Sequence, residues 1–250
     1  MIPISDDDSD RTSTPYINYL FIAINIFVFI YYQQLGHNID FTYSYATVPA
    51  EIISGHDIVT AATNVHDPIS GQDVTIPGLG ITAIPVWLTL ITSMFMHGGI
   101  AHIAGNMLYL WIFGDNLENK MGHARYFFFY MLCGIIASLA HVFSVYAFGE
   151  NHLIPSLGAS GAISGVMGGY LLLFPTKRVT VLFIIFFVRV PAFIVLGLWI
   201  LLQVAAGTGY LGGSEASGIA YAAHISGFFV GLFFVKKFIP VQKLASTRRR

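Results

Sequence analysis

The segment Gly158-Ala159-Ser160-Gly161-Ala162-Ile163-Ser164-Gly165 opens a run that stays apolar as far as Phe174. A serine framed by glycines is small enough for a second helix to pack closely against it, and read alone Ser160 is a packing residue. A second feature changes its weight. His224 stands inside another apolar run, Ala220-Tyr221-Ala222-Ala223-His224-Ile225-Ser226-Gly227. Alone, that histidine is as well explained as a structural hydrogen-bonding group between helices. Ionisable side chains at membrane depth are nevertheless costly, and those that occur face a bundle interior or a water-filled cavity. A hydroxyl that can attack and an imidazole that can take its proton are the two parts of nucleophilic serine chemistry.

Composition supports the membrane setting. The 250 residues are 55% hydrophobic and only 10% charged, with a mean hydropathy of +0.69. Soluble domains carry about 25% charged residues, so most of this surface is suited to lipid. A formal net charge of −1 gives no footing for nucleic acid. The single cysteine, Cys133, lies in an apolar segment and excludes an intrachain disulfide or a thiolate metal cluster. The acidic start reads as a short polar cytoplasmic tail over residues 1–15.

A membrane-spanning helix needs about 20 mostly apolar residues. Six segments qualify or nearly do: Tyr16–Tyr32, Ile100–Leu117, Tyr126–Phe148, Gly158–Phe174, Pro191–Leu211 and Gly218–Val235. The apolar run Val179–Val190 carries Arg189 and is followed by Pro191, which places it at the interface and not across the bilayer. The expectation is an all-α membrane protein, a six-helix bundle over residues 16–238. A long extracytoplasmic first loop covers 33–99, and a basic cytoplasmic tail covers 239–250.

Charge fixes the orientation, since Lys and Arg collect on cytoplasmic loops. Residues 33–85, 149–157 and 212–217 contain neither. The other side takes Arg11, Lys120, Arg125, Lys177, Arg178, Arg189, Lys236, Lys237 and Arg248-Arg249-Arg250. Six spans with both termini cytoplasmic satisfy this distribution. Segments two, four and six then enter from the extracytoplasmic side, which puts His102, Ser160 and His224 within roughly one or two helical turns of a common depth. His102 and Asn106 are four residues apart and share one helix face.

These residues carry a resemblance. Gly158-Ala-Ser160-Gly161-Ala-Ile-Ser-Gly165 is similar to the GxSGxxxG pattern of rhomboid intramembrane serine proteases. His97-Gly-Gly-Ile-Ala-His102-Ile-Ala-Gly-Asn106 resembles their second-helix motif, and Ala223-His224-Ile-Ser-Gly227 their last-helix motif. The likeness runs in order from about Tyr16 to Val235. It implies a six-transmembrane rhomboid-like fold in which Ser160 is the nucleophile and His224 its general base, a dyad without an acidic third member. It further implies that His102 and Asn106 stabilise the oxyanion, and that Gly158, Gly161 and Gly227 shape the site by close packing. His97 has a counterpart in the family and reads as structural or water-organising. The implied activity is cleavage of single-span membrane proteins within the lipid bilayer near the extracytoplasmic face, with no organic cofactor and no metal. The expected location is a prokaryotic cell membrane, as a multi-pass protein.

Two departures stand out. Leu88 follows Trp87 where relatives often have an arginine, within an apolar stretch Trp87–Met96 that reads as a short dipping helix. Ser164 stands one turn after the nucleophile, where many relatives carry an aromatic ring that packs on the base. Water for hydrolysis requires a polar cavity, for which His97, Ser156 and Ser164 are the candidate lining. His123 and His141 read as structural, and Glu118 with Arg125 as a surface pair. His56-Asp57 and His66-Asp67 lie in a polar loop without ligand spacing and read as solvated. Two other classes remain: a catalytically idle rhomboid-like helix binder and a small transporter. The first commonly lacks the serine or the base, and the second would show paired halves and acidic residues within its spans.

Overall fold

The computed structural model describes residues 2–66, 73–208 and 221–241. Strand β1 (Ile2–Asp6) leads to helix α1 (Tyr16–Phe27), which continues as a π-helical turn over Val28–Tyr32. The long first loop holds α2 (Ile39–Tyr45), α3 (Pro49–Ser54) and the hairpin β2 (Thr63–His66) and β3 (Asp73–Ile76), then a broken helical stretch Val86–Phe95 around α4 (Thr89–Thr92). Next come α5 (Ile100–Met121), α6 (His123–Phe148), α7 (Ser160–Leu173), the hairpin β4 (Arg178–Phe183) and β5 (Phe186–Pro191), α8 (Ala192–Gly207) and α9 (Tyr221–Phe234). The expected loop 212–217, residues 218–220 of the sixth segment, and 242–250 of the basic tail lie outside the described residues.

Each of the six apolar segments contains a helix; residues 209–211 of the fifth lie outside the described residues, and where ends are described they differ from the expected ones by a few residues. Among the described residues only α6, at 26 residues, is by itself long and apolar enough to cross a membrane. Val86–Phe95 and α5 together pass the same test as a pair bent by 80°. Helix α7 has 14 residues and rises about 21 Å, short of a hydrocarbon layer of about 30 Å. Ser160 is its first residue.

The bundle is apolar on its outside and polar in part of its interior. Trp111, Phe128, Phe143, Phe193, Leu201 and Phe233 are exposed, whereas Asn18, Asn25, Asn116 and Glu118 are buried. Lipid as the surrounding solvent makes that inversion inexpensive, provided the interior groups are paired. Most are: Asn18 accepts from Tyr126 Oη at 2.7 Å and donates to the Leu110 carbonyl at 3.0 Å, while Asn25 donates to the Phe21 carbonyl at 2.8 Å and leaves its Oδ1 without a partner among the described residues. Glu118 was expected in a surface pair with Arg125. It is fully buried instead, accepting the α1 backbone N–H groups of Ile17 and Asn18 at 3.0 and 2.7 Å and bonding the His123 ring. Its carboxylate satisfies donors that the start of a helix leaves without partners.

Two further expectations are corrected. The chain is not all-α, because the run Val179–Val190 is a β-hairpin and β1 adds to it in an antiparallel sheet of order β1-β4-β5. Val179 and Val181 point into the core while Arg178 stays exposed, the period-2 alternation of a half-buried strand. Residues 2–15 are likewise no free tail. Asp6 accepts from Asn116 Nδ2 at 2.7 Å and from the Tyr170 hydroxyl, Arg11 pairs with Asp115 at 2.6 Å, and Lys177 bonds Asp10 at 2.7 Å and Asn116 at 2.6 Å. The segment that reads as polar solvent-facing sequence is polar because it completes hydrogen bonds at the ends of α5 and α7.

Burial pushes the Asp6 carboxyl up from 3.8 to about 7, against the opposing hydrogen bond from Tyr170. Between those values the docked strand holds a proton that the undocked strand has lost, so docking weakens as pH rises from about 4 to about 7. Amide exchange of residues 2–14, corrected for intrinsic rates, should show an opening constant that rises by up to about tenfold per pH unit in that window. Asp6→Asn should flatten the dependence.

Candidate active site

The site forms where α5, α7, α8 and α9 meet. Ser160 opens α7, and His224 lies one turn into α9. Their side chains meet: His224 Nε2 and Ser160 Oγ are 2.7 Å apart. Glycines permit this approach. A methyl group on Gly227 would collide with the Gly161 carbonyl oxygen, and one on Gly231 with that of Gly165. Helix α6 joins the same contact, since a Cβ at Gly161 would lie 2.7 Å from the Ala137 methyl and a Cβ at Gly227 3.4 Å from it. Helices α7 and α9 thus pack backbone against backbone, the geometry that small residues allow in membrane bundles.

Helix α5 supplies the next group. The Gly98 N–H donates to His102 Nδ1 at 3.3 Å, which leaves Nε2 as the ring's N–H donor. That nitrogen and the serine hydroxyl both border Gly158, since a Cβ there would fall 3.1 Å from His102 Nε2 and 3.6 Å from Ser160 Oγ. Gly158 also has φ of +131°, so it is fixed as glycine by backbone conformation as well as by space. Asn106, one turn further along α5, is half-buried, and its Nδ2 has no partner among the described residues. His97 is fully buried and packs edge-on to the His102 ring at 5.1 Å between centroids. Its backbone is clamped by Gln33, which accepts from the His97 N–H at 2.9 Å and donates to its carbonyl at 3.0 Å. That clamp from the end of α1 holds the turn into α5, and with it His102.

The first loop closes over the α7 entrance. Thr47 and Ser156 exchange backbone hydrogen bonds of 3.0 and 2.8 Å, and the Gly158 N–H donates to the Ser93 carbonyl at 2.9 Å. Between these elements lies a cavity of about 20 Å³ beside Ser160, lined among others by Ser93, Ser138 and Ser156. One water molecule needs about 10–15 Å³ by the same measure. Of the expected lining, Ser156 takes part. His97 and Ser164 do not line it, because Ser164 turns back to donate to the Ser160 carbonyl at 2.6 Å. Asp57, one of the loop carboxylates, accepts from the Thr82 N–H at 2.9 Å and ties the loop to itself. Asp67 lies outside the described residues.

Comparison with known proteins decides the ancestry. A family model for the Rhomboid domain matches residues 85–240, more than half of the chain. The chain belongs to the rhomboid family. It is 33% identical over 152 residues to the mitochondrial Rhomboid protein 1 of Saccharomyces cerevisiae, a match covering 59% of this chain and 40% of that protein. To the rhomboid protease GluP of Bacillus subtilis it is 34% identical over 148 residues, 59% of this chain and 25% of that protein. The human presenilin-associated rhomboid-like protein, also mitochondrial, is 32% identical over 95 residues, 38% of this chain and 24% of that protein. The matches thus take in well under half of each relative's length. Because mitochondrial proteins stand among these relatives, the expectation of a prokaryotic cell membrane is not retained. A multi-pass membrane protein is what the family supports.

Within this rhomboid site, one group escapes the sequence motifs. Gln203 Oε1 lies 2.7 Å from His224 Nδ1, and the Trp199 ring stands 6.0 Å from the imidazole, tilted by 37°. Trp199 and Gln203 are four residues apart, on one face of α8. The available signal was a lone carboxamide in a helix, Ala192–Gly207, whose other side chains are apolar or aromatic.

Stability should be sensitive to a side chain at the α7–α9 glycine contacts and insensitive to one at a helical glycine that meets no neighbour. Gly227→Ala should lower unfolding free energy in detergent by about 1–3 kcal/mol. Gly197→Ala, where a Cβ would meet no heavy atom within 4 Å among the described residues beyond its own helix backbone, should leave it unchanged or raise it by up to about 1 kcal/mol. Thermal unfolding of the two variants compares them directly.

Proposed function

We propose that this rhomboid protein is an active intramembrane serine protease. It hydrolyses peptide bonds in or near single membrane-spanning segments of other proteins, close to the extracytoplasmic face of the bilayer. The observation that carries the reading is the 2.7 Å hydrogen bond between Ser160 Oγ and His224 Nε2, joining two helices inside an apolar-surfaced bundle.

In the first half-reaction Ser160 Oγ bonds to the scissile carbonyl carbon and its proton passes to His224 Nε2. The carbonyl oxygen becomes an oxyanion, which takes hydrogen bonds from His102 Nε2, Asn106 Nδ2 and the backbone at the start of α7. The positive end of the α7 dipole faces the same charge. Collapse breaks the C–N bond, and the leaving amine takes the proton from Nε2. In the second half-reaction a water gives a proton to Nε2 as its oxygen bonds to the acyl carbon, and collapse returns the proton to Ser160. The small hydroxyl-lined cavity beside Ser160 suits delivery of that water. Peptide bonds in a helix have their carbonyls engaged and their edges covered. The substrate must therefore unwind locally, which favours small or helix-breaking residues near the cleavage point.

The orientation that goes with this chemistry has α1, α5, α6, α7, α8 and α9 as six spans and both termini in the cytoplasm. The absence of Lys and Arg from residues 33–85 and 149–157, beside Ser160, supports it. So does the gathering of Arg11, Lys120 and Lys177 around the opposite ends of α5 and α7.

In proteoliposomes carrying a single-span model substrate, wild-type protein should release the extracytoplasmic fragment and Ser160→Ala should release none. Equal cleavage by the two proteins would sink the assignment. Asn106→Ala should lower kcat by about 10²–10³-fold with the protein still folded. A fluorophosphonate probe should label Ser160 in the wild type and fail to do so in His224→Ala.

A further inference from the structure

We infer that Gln203 is the positioning residue of this site, the third member of a Ser160–His224–Gln203 array in which a neutral amide does the work of the missing carboxylate. The inference rests on the protease reading above and adds to it what holds the base.

An imidazole acts as base toward Ser160 only when Nε2 carries the lone pair, so the ring proton must sit on Nδ1. Something must also stop rotation of the ring about its bonds to the backbone. Gln203 Oε1 meets both needs: it lies 2.7 Å from Nδ1 and can accept that proton, while Nε2 faces Ser160 Oγ at the same distance. The two bonds run in line through the ring, hydroxyl to imidazole to amide, across α7, α9 and α8. Trp199, one turn earlier on α8, stands beside the imidazole at 6.0 Å. Both contacts come from the face of α8 turned toward α9. The α7 position one turn beyond the nucleophile contributes neither, because Ser164 is spent on the Ser160 carbonyl.

A carboxamide also suits the surroundings. A buried carboxylate next to the base would need its own partners, and leaving a charge unpaired in a low-dielectric interior is expensive. An amide carbonyl accepts the Nδ1 proton without carrying charge, and its dipole still favours the imidazolium that forms as Ser160 loses its proton. The other ionisable groups felt at His224 are the imidazoles of His102 on α5 and His141 on α6. Neither changes in the variants below, so a displaced pH profile reports position 203.

The test is cleavage of the model substrate in proteoliposomes across pH, for wild type, Gln203→Leu, Gln203→Glu and the α8 control Leu202→Ala. Leucine fills the space and accepts nothing. It should lower kcat by about 10–100-fold, the size of effect seen when a group that orients a metal-bound histidine is removed, with KM little changed. Glutamate can only accept, so it should keep cleavage within several-fold of wild type. Its charge stabilises the imidazolium, and the acid limb of kcat/KM should move up by about one pH unit. Leu202, exposed on the same helix, should tolerate alanine with cleavage within about twofold of wild type. Folded Gln203→Leu that cleaves at the wild-type rate overturns the inference. Should the leucine variant fail to fold, the glutamate variant decides: an acid limb that does not move overturns it as well. Failure of the protease reading looks different, since Ser160→Ala would then cleave like the wild type whatever stands at 203.

Discussion

The contact on which the site depends is the meeting of two backbones. Helices α7 and α9 approach until glycines of one face carbonyl oxygens of the other, Gly227 on Gly161 and Gly231 on Gly165. Hydrogen bonding between Ser160 and His224 requires that distance, because a serine side chain reaches only one bond beyond its Cβ. Helix α6 packs into the same contact through Ala137, which borders both Gly161 and Gly227, so α7 is held where three helices meet. The remaining groups are brought to that junction by separate devices: His102 by the Gln33 clamp and the Gly98 N–H, His224 by Gln203 and Trp199, the α7 entrance by Thr47 and Ser93.

At the other end the fold is held by polar pairing. Asp6, Asp10 and Arg11 reach the ends of α5 and α7 through Asn116, Tyr170, Lys177 and Asp115, and Glu118 receives the first N–H groups of α1. In a lipid-surrounded bundle burial of apolar surface does little to hold helices together, so hydrogen bonds and close contacts carry more of the task. The two ends use different parts of that repertoire. Close backbone packing at glycines sets the α7–α9 contact near Ser160, and dense hydrogen bonding between side chains ties the opposite end.

Much of this was legible in the sequence, for reasons that differ by residue. The six apolar runs appeared as helices because hydropathy and length are local properties, and Ser160, His102 and His224 stood out because polar groups are rare in such runs. Their convergence was not legible in the spacing, which gives depth and face but not which helix lies alongside, and came only as an implication of the rhomboid resemblance. The strand Ile2–Asp6 and the buried role of Glu118 were missed for a related reason. Acidic and hydroxyl-bearing residues near a terminus look the same whether water or a neighbouring helix end satisfies them. Gln203 was hidden because no motif surrounds it. Its partner is 21 positions away, and only tertiary packing makes the pair.

The glycine contacts have a consequence for how this chain can change over time. When two side chains crowd each other, a larger residue on one helix can be accommodated by a smaller one opposite. At Gly227 and Gly231 the opposing atoms belong to the main chain, which every amino acid shares. No exchange at position 161 or 165 can make room, so drift at these glycines has no compensating partner and can be relieved only by moving a whole helix. The alignment of hydroxyl and imidazole is thereby tied to atoms that point mutation cannot remove.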